Sequence, residues 1–202
     1  MTVKIGITGP IGCGKSTVAS WLAERAGVSV VDADHEARLV LAPGTPEVEA
    51  VYRRFGPGLR RPNGELDRAA LGRIVFNDPA ALRDLEAIVH PAVRPRIVAA
   101  IEQAEGAGAR AVVIEAIKLV EGGLADLCDE VWLVTCDAAT QRERLVGRGD
   151  AEQDAAARVA AQGDLVDRLR PRATREIDTN GEAAATRAVV DDLLDEALRA
   201  AT

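Results

Sequence analysis

Apolar and polar positions along the chain switch repeatedly between the period of a strand and that of a helix. Residues 2–8, TVKIGIT, are rich in β-branched side chains and predict a first strand. A glycine-rich turn follows at 9–14. A helix then begins near Lys15, where Val18, Trp21, Leu22 and Ala26 keep helical spacing and Gly27 suits the position just past the end. Residues 28–32, VSVVD, form a continuous apolar run ending in an acid, the pattern of a buried parallel strand. The first 32 residues therefore predict strand, turn, helix, strand: one βαβ unit.

The next strand signal is RAVVIE at 110–115. The interval before it far exceeds the ~10–12 residues of a minimal crossover. It predicts two helices, one over 79–90 with Leu82, Leu85 and Val89 on one face, and one after Pro91 carrying Val93, Ile97 and Ile101. Between 53 and 73 stand six arginines against two acids, Glu65 and Asp67. Residues 36–95 thus read as an inserted substrate-binding subdomain. A further strand, EVWLVTC at 130–136, leads to an arginine-bearing helix, TQRERLVGR, at 140–148. Residues 150–172 are polar and Ala-rich with weak patterning and read as a mobile helical lid. A short strand at 175–178, a turn at Asn180-Gly181 and a last helix over 182–200, burying Val189, Val190, Leu193, Leu194 and Leu198, complete the chain.

Strands alternating with helices predict an α/β fold, a parallel sheet with helices on both faces. Its core would comprise 1–35, 96–149 and 173–202. Ligands of such sheets sit at the carboxyl ends of the strands, where the first turn, Asp32, Asp34 and Glu115 all fall.

Composition narrows the classes. At 202 residues and 48% hydrophobic the chain has material for one domain with its own core. A net charge of -7 and only five aromatic residues speak against a general nucleic-acid binder or a base-stacking platform. Two histidines, His35 and His90, cannot build a His-rich metal site. The three cysteines are odd in number and lack a C-x-x-C pair, so no disulfide framework is expected and a reducing cytoplasm fits. No apolar run approaches the ~20 residues of a membrane span, and MTVKIGITGP is too briefly apolar to be a signal peptide.

The chemistry concentrates in the first turn. Gly9-Pro10-Ile11-Gly12-Cys13-Gly14-Lys15-Ser16, followed by Thr17, matches G-x-x-x-x-G-K-[ST] in full. Glycines let successive backbone N–H groups point inward at phosphate oxygens, and the following helix adds its positive end. Lys15 sets a cation against the β- and γ-phosphates of ATP, and Ser16 offers a hydroxyl to Mg²⁺. The motif alone does not separate a kinase from a GTPase or a motor ATPase. Cys13 reads as a small residue that fits the turn; a thiol activated by the helix N-terminus is the alternative. Asp32 and Asp34 follow the second strand. Alternate residues of an extended segment share a face, so both carboxylates are expected to point into one cleft, one able to take a proton from a hydroxyl nucleophile and one to organise Mg²⁺. The competing reading makes Asp34 a helix N-cap.

In combination the chain resembles the dephospho-CoA kinase family over nearly its whole length. ITGPIGCGKSTVA is similar to that family's phosphate loop, VVDADHEAR at 30–38 to its base-bearing segment, and FG, NGELDRAALGRIVF and LEAIVHP to its CoA-binding subdomain. CDAATQRERLVGR at 136–148 is similar to its lid entry, and RVAAQ at 158–162 continues the pattern. Two places depart from it: Lys118 stands where an apolar residue is usual, and Thr179-Asn180 leaves unsettled which residue fills the family's asparagine position.

The resemblance implies transfer of a phosphoryl group from ATP, with Mg²⁺, to the ribose 3'-hydroxyl of dephospho-CoA. It implies Asp34 as general base, Asp32 as metal-organising or structural, Arg144 as clamp on the transferring group and Arg148 as a second nucleotide contact. Arg68, Arg73 and His90 are the substrate-side residues; His90 also reads as a structural histidine ending one helix. ATP and dephospho-CoA are the expected partners, with no nucleic acid, membrane or obligatory protein partner. A nucleoside monophosphate kinase shares the architecture but not the 36–95 landmarks. A GTP-dependent switch would need an N-K-x-D motif, which the sequence lacks.

Overall fold

The structure is a computed structural model that describes residues 1–76 and 78–201. Five parallel strands form one sheet in the order β2-β3-β1-β4-β5: β1 (Val3–Thr8), β2 (Val28–Asp32), β3 (Ala111–Glu115), β4 (Glu130–Thr135) and β5 (Arg175–Asp178). β1 is central. It pairs with β3 from Val3↔Ala111 to Ile7↔Glu115, and with β4 from Ile5↔Glu130 to Thr8↔Leu133. All carboxyl ends therefore reach one edge of the sheet.

Residues Met1–Asp32 and Ile101–Thr202 form one compact unit, and Ala33–Ala100 form a second. In the first, strand alternation assigns side chains to two faces. Trp132, Val134, Ile5 and Ile7 pack with Val18, Ala19 and Leu22 of α1 (Lys15–Ala23) and Val190, Leu194, Ala197 and Leu198 of the last helix, α9 (Ala183–Ala200). Leu133 faces the other way, against Leu165 and Leu169 of α8 (Leu165–Leu169). Helices thus cover both faces, as the alternating pattern predicts. The buried Trp132 indole donates to Glu130 Oε2 at 2.7 Å, so its one polar atom is satisfied.

The second unit holds α2 (Ala33–Val40), α3 (Pro46–Phe55), α4 (Arg68–Phe76) and the first part of α5 (Pro79–Gly106). Thr45 caps α3 by accepting from Val48 N–H at 3.2 Å, with Pro46 in the first turn. Val48, Val51, Tyr52, Leu59, Leu66 and Leu71 supply a separate core.

Four sequence expectations are corrected. The two helices predicted around Pro91 are one 28-residue helix, α5, with Pro91 and Pro95 inside it. Each proline forfeits a backbone N–H, yet Val93, Ile97, Ile101 and Ala104 are buried along the same helix, and that burial offsets the loss. His90 consequently lies inside a helix, not at its end. β2 is an edge strand in which only Val31 is fully buried, so its apolar run does not mark a central position. The last helix leaves Val189 half exposed, because the buried row runs through Val190, Leu194 and Ala197. α1 ends at Ala23, short of Ala26 and Gly27.

Candidate active site

The chain leaves β1 at Thr8 and must turn across the end of β4. A β-carbon on Gly9 would stand 2.1 Å from the carbonyl oxygen of Val134, and one on Gly12 would stand 2.9 Å from that of Gln141. Glycine at these positions is therefore a requirement of close backbone approach. Gly14, at φ 87°, precedes α1 directly. Lys15 begins the helix and is 7% exposed. Its Nζ donates to the carbonyls of Gly9 and Pro10, at 2.9 Å each, so the ammonium curls over the mouth of the loop. Ser16 and Thr17 are exposed in the first helical turn, with Ile11 half-buried in the loop.

α6 (Ala138–Gly147) brings the arginine. Asp137 caps it, accepting from Thr140 N–H at 2.7 Å; that bond above all holds the Asp137 carboxyl below its usual pKa. One turn from the other end, Arg144 donates through Nη2 to Thr179 O at 2.6 Å and through Nη1 to Thr179 Oγ1 at 2.9 Å. Its Nη1 also lies 3.4 Å from the carbonyl of Gly12. Thr179 in turn donates to the carbonyl of Cys13 at 2.8 Å. The structure thus brings Arg144 onto the phosphate loop, as the sequence expects. Arg148, at the end of α6, is exposed.

Sequence reasoning missed two groups. Thr179, buried, links Arg144, the loop and β4; its only signal is the departure from the family pattern beside Asn180. Asn180 turns elsewhere and accepts from Asp137 N–H at 3.0 Å. Gln162, just after α7 (Glu152–Ala160), accepts from Ile11 N–H at 3.1 Å, capping an amide of the phosphate loop. The RVAAQ segment held that residue, but nothing in its pattern predicts a contact 151 positions away. The other departure, Lys118, costs no packing, because it is exposed between buried Ala116 and Leu119.

The cysteine expectation is corrected outright. Cys13 and Cys136 are joined as a disulfide, with Cα atoms 5.2 Å apart and 123 positions between them. Parallel pairing of β1 with β4 brings both carboxyl ends to one edge, and the loop after β1 then carries Cys13 back beside Cys136, which directly follows β4, a relation invisible in spacing.

Asp32 is exposed at the carboxyl end of β2, in register with Glu115. The chain turns helical at Ala33, so Asp34 sits in the first turn of α2 and the extended Asp-Ala-Asp face does not form; nor is Asp34 the cap residue itself. Within the second unit, Arg68 opens α4 and donates to Arg38 O at 3.0 Å. Desolvation, and then the charge of Arg38, lower the Arg68 pKa. A cleft of about 330 Å³ there is lined by Arg38, Arg61, Glu65, Leu66 and Arg68. Arg73 is exposed farther along α4, and His90 is half-buried in α5.

The family model for dephospho-CoA kinase matches residues 3–185. A dephospho-CoA kinase of Symbiobacterium thermophilum is 50% identical over 188 residues, covering 93% of this chain and 78% of that protein. A crystal structure from Thermus thermophilus superposes with a TM-score of 0.80 at 34% identity, covering 96% of this chain and 97% of that one. The dephospho-CoA kinase structure from Campylobacter jejuni superposes with a TM-score of 0.71 at 25% identity over the full length of both chains. With its phosphate loop intact and relatives of this identity spanning nearly all of it, the chain belongs to the dephospho-CoA kinase family.

Proposed function

We propose that the protein transfers the γ-phosphoryl group of ATP to the ribose 3'-hydroxyl of dephospho-CoA, giving CoA and ADP. Family membership together with the preformed loop carries this reading: backbone amides, a buried lysine and an arginine already gathered at one sheet edge suit a triphosphate. No observation favours a nucleoside monophosphate kinase or a nucleotide switch. No helix among the described residues is long and apolar enough to cross a membrane. A cytoplasmic setting, where ATP is at hand, belongs to this reading.

Among the described residues no group of three or more acidic, histidine or cysteine side chains is placed to hold a metal ion. That fits magnesium on a nucleotide, which takes one or two protein ligands and completes its shell with phosphate oxygens and water. The exposed Ser16 hydroxyl and the Asp32 carboxylate are the donors we assign to it. When bound, Mg²⁺ neutralises charge on the β- and γ-phosphate oxygens.

The remaining roles rest on this chain's own groups. The amides from Gly12 to Ser16 seat the phosphates, Gly9, Pro10 and Ile11 shape the turn that presents them, and Thr17 and Arg148 border them. Lys15 trades its carbonyl partners for phosphate oxygens. Arg144 spans two oxygens of the transferring group with its planar fork. Asp34 orients the 3'-hydroxyl and accepts its proton. The arginine-lined cleft of the second unit, with Arg38, Arg61 and Arg68, suits the pyrophosphate of dephospho-CoA; Arg73 and His90 support that side. The insert, about 36–95, is then the CoA-binding part, and about 150–172 the lid. Leu165 and Leu169 anchor the last third of that lid under Leu133, so its moving portion is α7.

The acceptor separates this reading from its rivals. ADP release assayed with dephospho-CoA, adenosine, AMP and pantothenate, each alone, should be strong only with the first. Preference for AMP would replace the proposed substrate. Asp34→Asn keeps the shape but cannot act as a base, so kcat should fall at least ~10²-fold with little change in dephospho-CoA binding. Asp32→Asn should cost less; the reverse order would move the base to Asp32.

Loss of Arg144 should lower kcat by roughly 10³–10⁵-fold, the range of arginine fingers, and alter ATP affinity less. Thr179→Val should lower kcat about tenfold, the cost of the hydrogen bond that positions Arg144, and Thr179→Ser should restore it. A pure affinity defect on losing Arg144 would shift the clamp to Arg148. Amides of α7 should exchange fast in the free enzyme and slowly with both substrates bound, while α8 stays protected throughout. Equal protection of α7 in the two states would make it a fixed helix.

A further inference from the structure

Cys13 lies inside the phosphate loop and Cys136 directly precedes Asp137, the cap of the helix that carries Arg144. We propose that this pair is a reversible thiol–disulfide site through which a low-molecular-weight disulfide slows the kinase. The proposal goes beyond the assigned reaction. Its effect on turnover rests on the reading of Arg144 given above; its redox chemistry does not.

Three observations carry it. First, the geometry is already that of a bonded pair: the Cα separation of 5.2 Å falls within the range disulfides require, so no backbone movement is needed to close it. Second, polar groups already flank the Cys13 sulfur. Gln141 Nε2 lies 3.4 Å from Cys13 Sγ as a donor, and the carbonyl of Cys136 lies 3.7 Å from it as an acceptor for a thiol hydrogen. Third, the two sulfurs differ in access. Cys13 is fully buried, whereas Cys136 is partly exposed and able to meet a small reagent.

The exchange follows from that asymmetry. The Cys136 thiolate attacks one sulfur of the small disulfide, whose S–S bond breaks and releases one thiolate. The Cys13 thiolate, whose Cα lies 5.2 Å from that of Cys136, then attacks the Cys136 sulfur and expels the second thiolate. Two protein thiols lose two protons and two electrons; the small disulfide takes up both as two thiols. Excess thiol runs the sequence backward.

The bond ties the phosphate loop to the root of α6 and so fixes that end of the helix where Arg144 donates to Thr179 and reaches the Gly12 carbonyl; the slowing we propose comes from this tether opposing the transfer of those Arg144 donors to the phosphoryl oxygens. Cys128 provides an internal reference. Chiefly through burial its thiol is pushed up to about 12, which leaves almost no thiolate near neutral pH.

The test equilibrates the full-length protein in mixtures of reduced and oxidised glutathione. Intact mass, alkylation under denaturing conditions and initial rates are then read on the same samples. Oxidising mixtures should remove two alkylatable thiols, with peptide mapping locating the bond at Cys13–Cys136 and leaving Cys128 alkylatable. kcat should fall at least several-fold and recover fully with dithiothreitol. Cys136→Ser should keep the reduced enzyme's rate and lose the response. Failure of the bond to form, persistent glutathione adducts in its place, or a bonded enzyme with unchanged kcat would each overturn the proposal. A reduced enzyme that forms the bond but has no activity on dephospho-CoA would instead overturn the assigned reaction.

Discussion

Residue 9 has room for a hydrogen and nothing larger, because the carbonyl oxygen of Val134 stands 2.1 Å from where a β-carbon would be. The rest of the site depends on that approach. β1 and β4 pair in parallel, so both end at the same edge, and the chain leaving β1 is pressed over the last residues of β4. The crossing sets Cys13 beside Cys136 and Gly12 beneath Gln141. Because β5 follows β4 in the sheet, Thr179, just past β5, comes within reach of the Cys13 carbonyl. The segments after β4 and β5 thus converge on the loop after β1.

Thr179 is the hinge of this arrangement in terms of hydrogen-bond capacity. A hydroxyl has one hydrogen and two lone pairs. The hydrogen goes to Cys13 O at 2.8 Å in preference to Thr135 O at 3.2 Å, and a lone pair receives Arg144 Nη1. The guanidinium is thereby held on one side while its remaining donors stay available. An arginine restrained in this way loses less rotamer freedom on gripping an oxyanion than one that must first be ordered.

What was legible in the sequence is what is encoded locally. The strand–loop–helix of residues 3–23 and the phosphate loop follow from β-branched runs, glycine spacing and helical periodicity. The five strands emerged to within a residue or two. Three features escaped because they are set by partners distant in the chain. Nothing in VSVVD distinguishes an edge strand from a central one, since the difference lies in whether another strand lies beyond it. Pro91 and Pro95 announce a break that the buried row from Val93 to Ala104 overrides. The Cys13–Cys136 pair requires the β1–β4 register, and cysteine counting cannot supply that. The departure at Thr179 pointed to the right place without disclosing its role, which appears only when Arg144 and Cys13 are seen to share its hydroxyl.

The chain changes compact unit between Asp32 and Ala33, within the acidic segment itself. Groups assigned to the phosphoryl donor belong to the first unit, with the core around Trp132 and Leu194; those assigned to the acceptor belong to the second, built around Val48, Tyr52 and Leu71. Each set of charges is then positioned by its own packing. The net charge of -7 would repel two polyanionic substrates if it acted as a whole. It does not, because charges farther apart than about 8 Å are largely screened at physiological ionic strength. The pyrophosphate proposed for the second unit would meet Arg38, Arg61 and Arg68 around a single cleft that Glu65 also lines, with Arg61 ion-paired to Asp67. Burial, and then the charge of Arg38, lower the Arg68 pKa, and an anion in the cleft would offset that neighbouring charge. Acidic composition and recognition of anionic substrates are therefore compatible, provided that the cations are clustered.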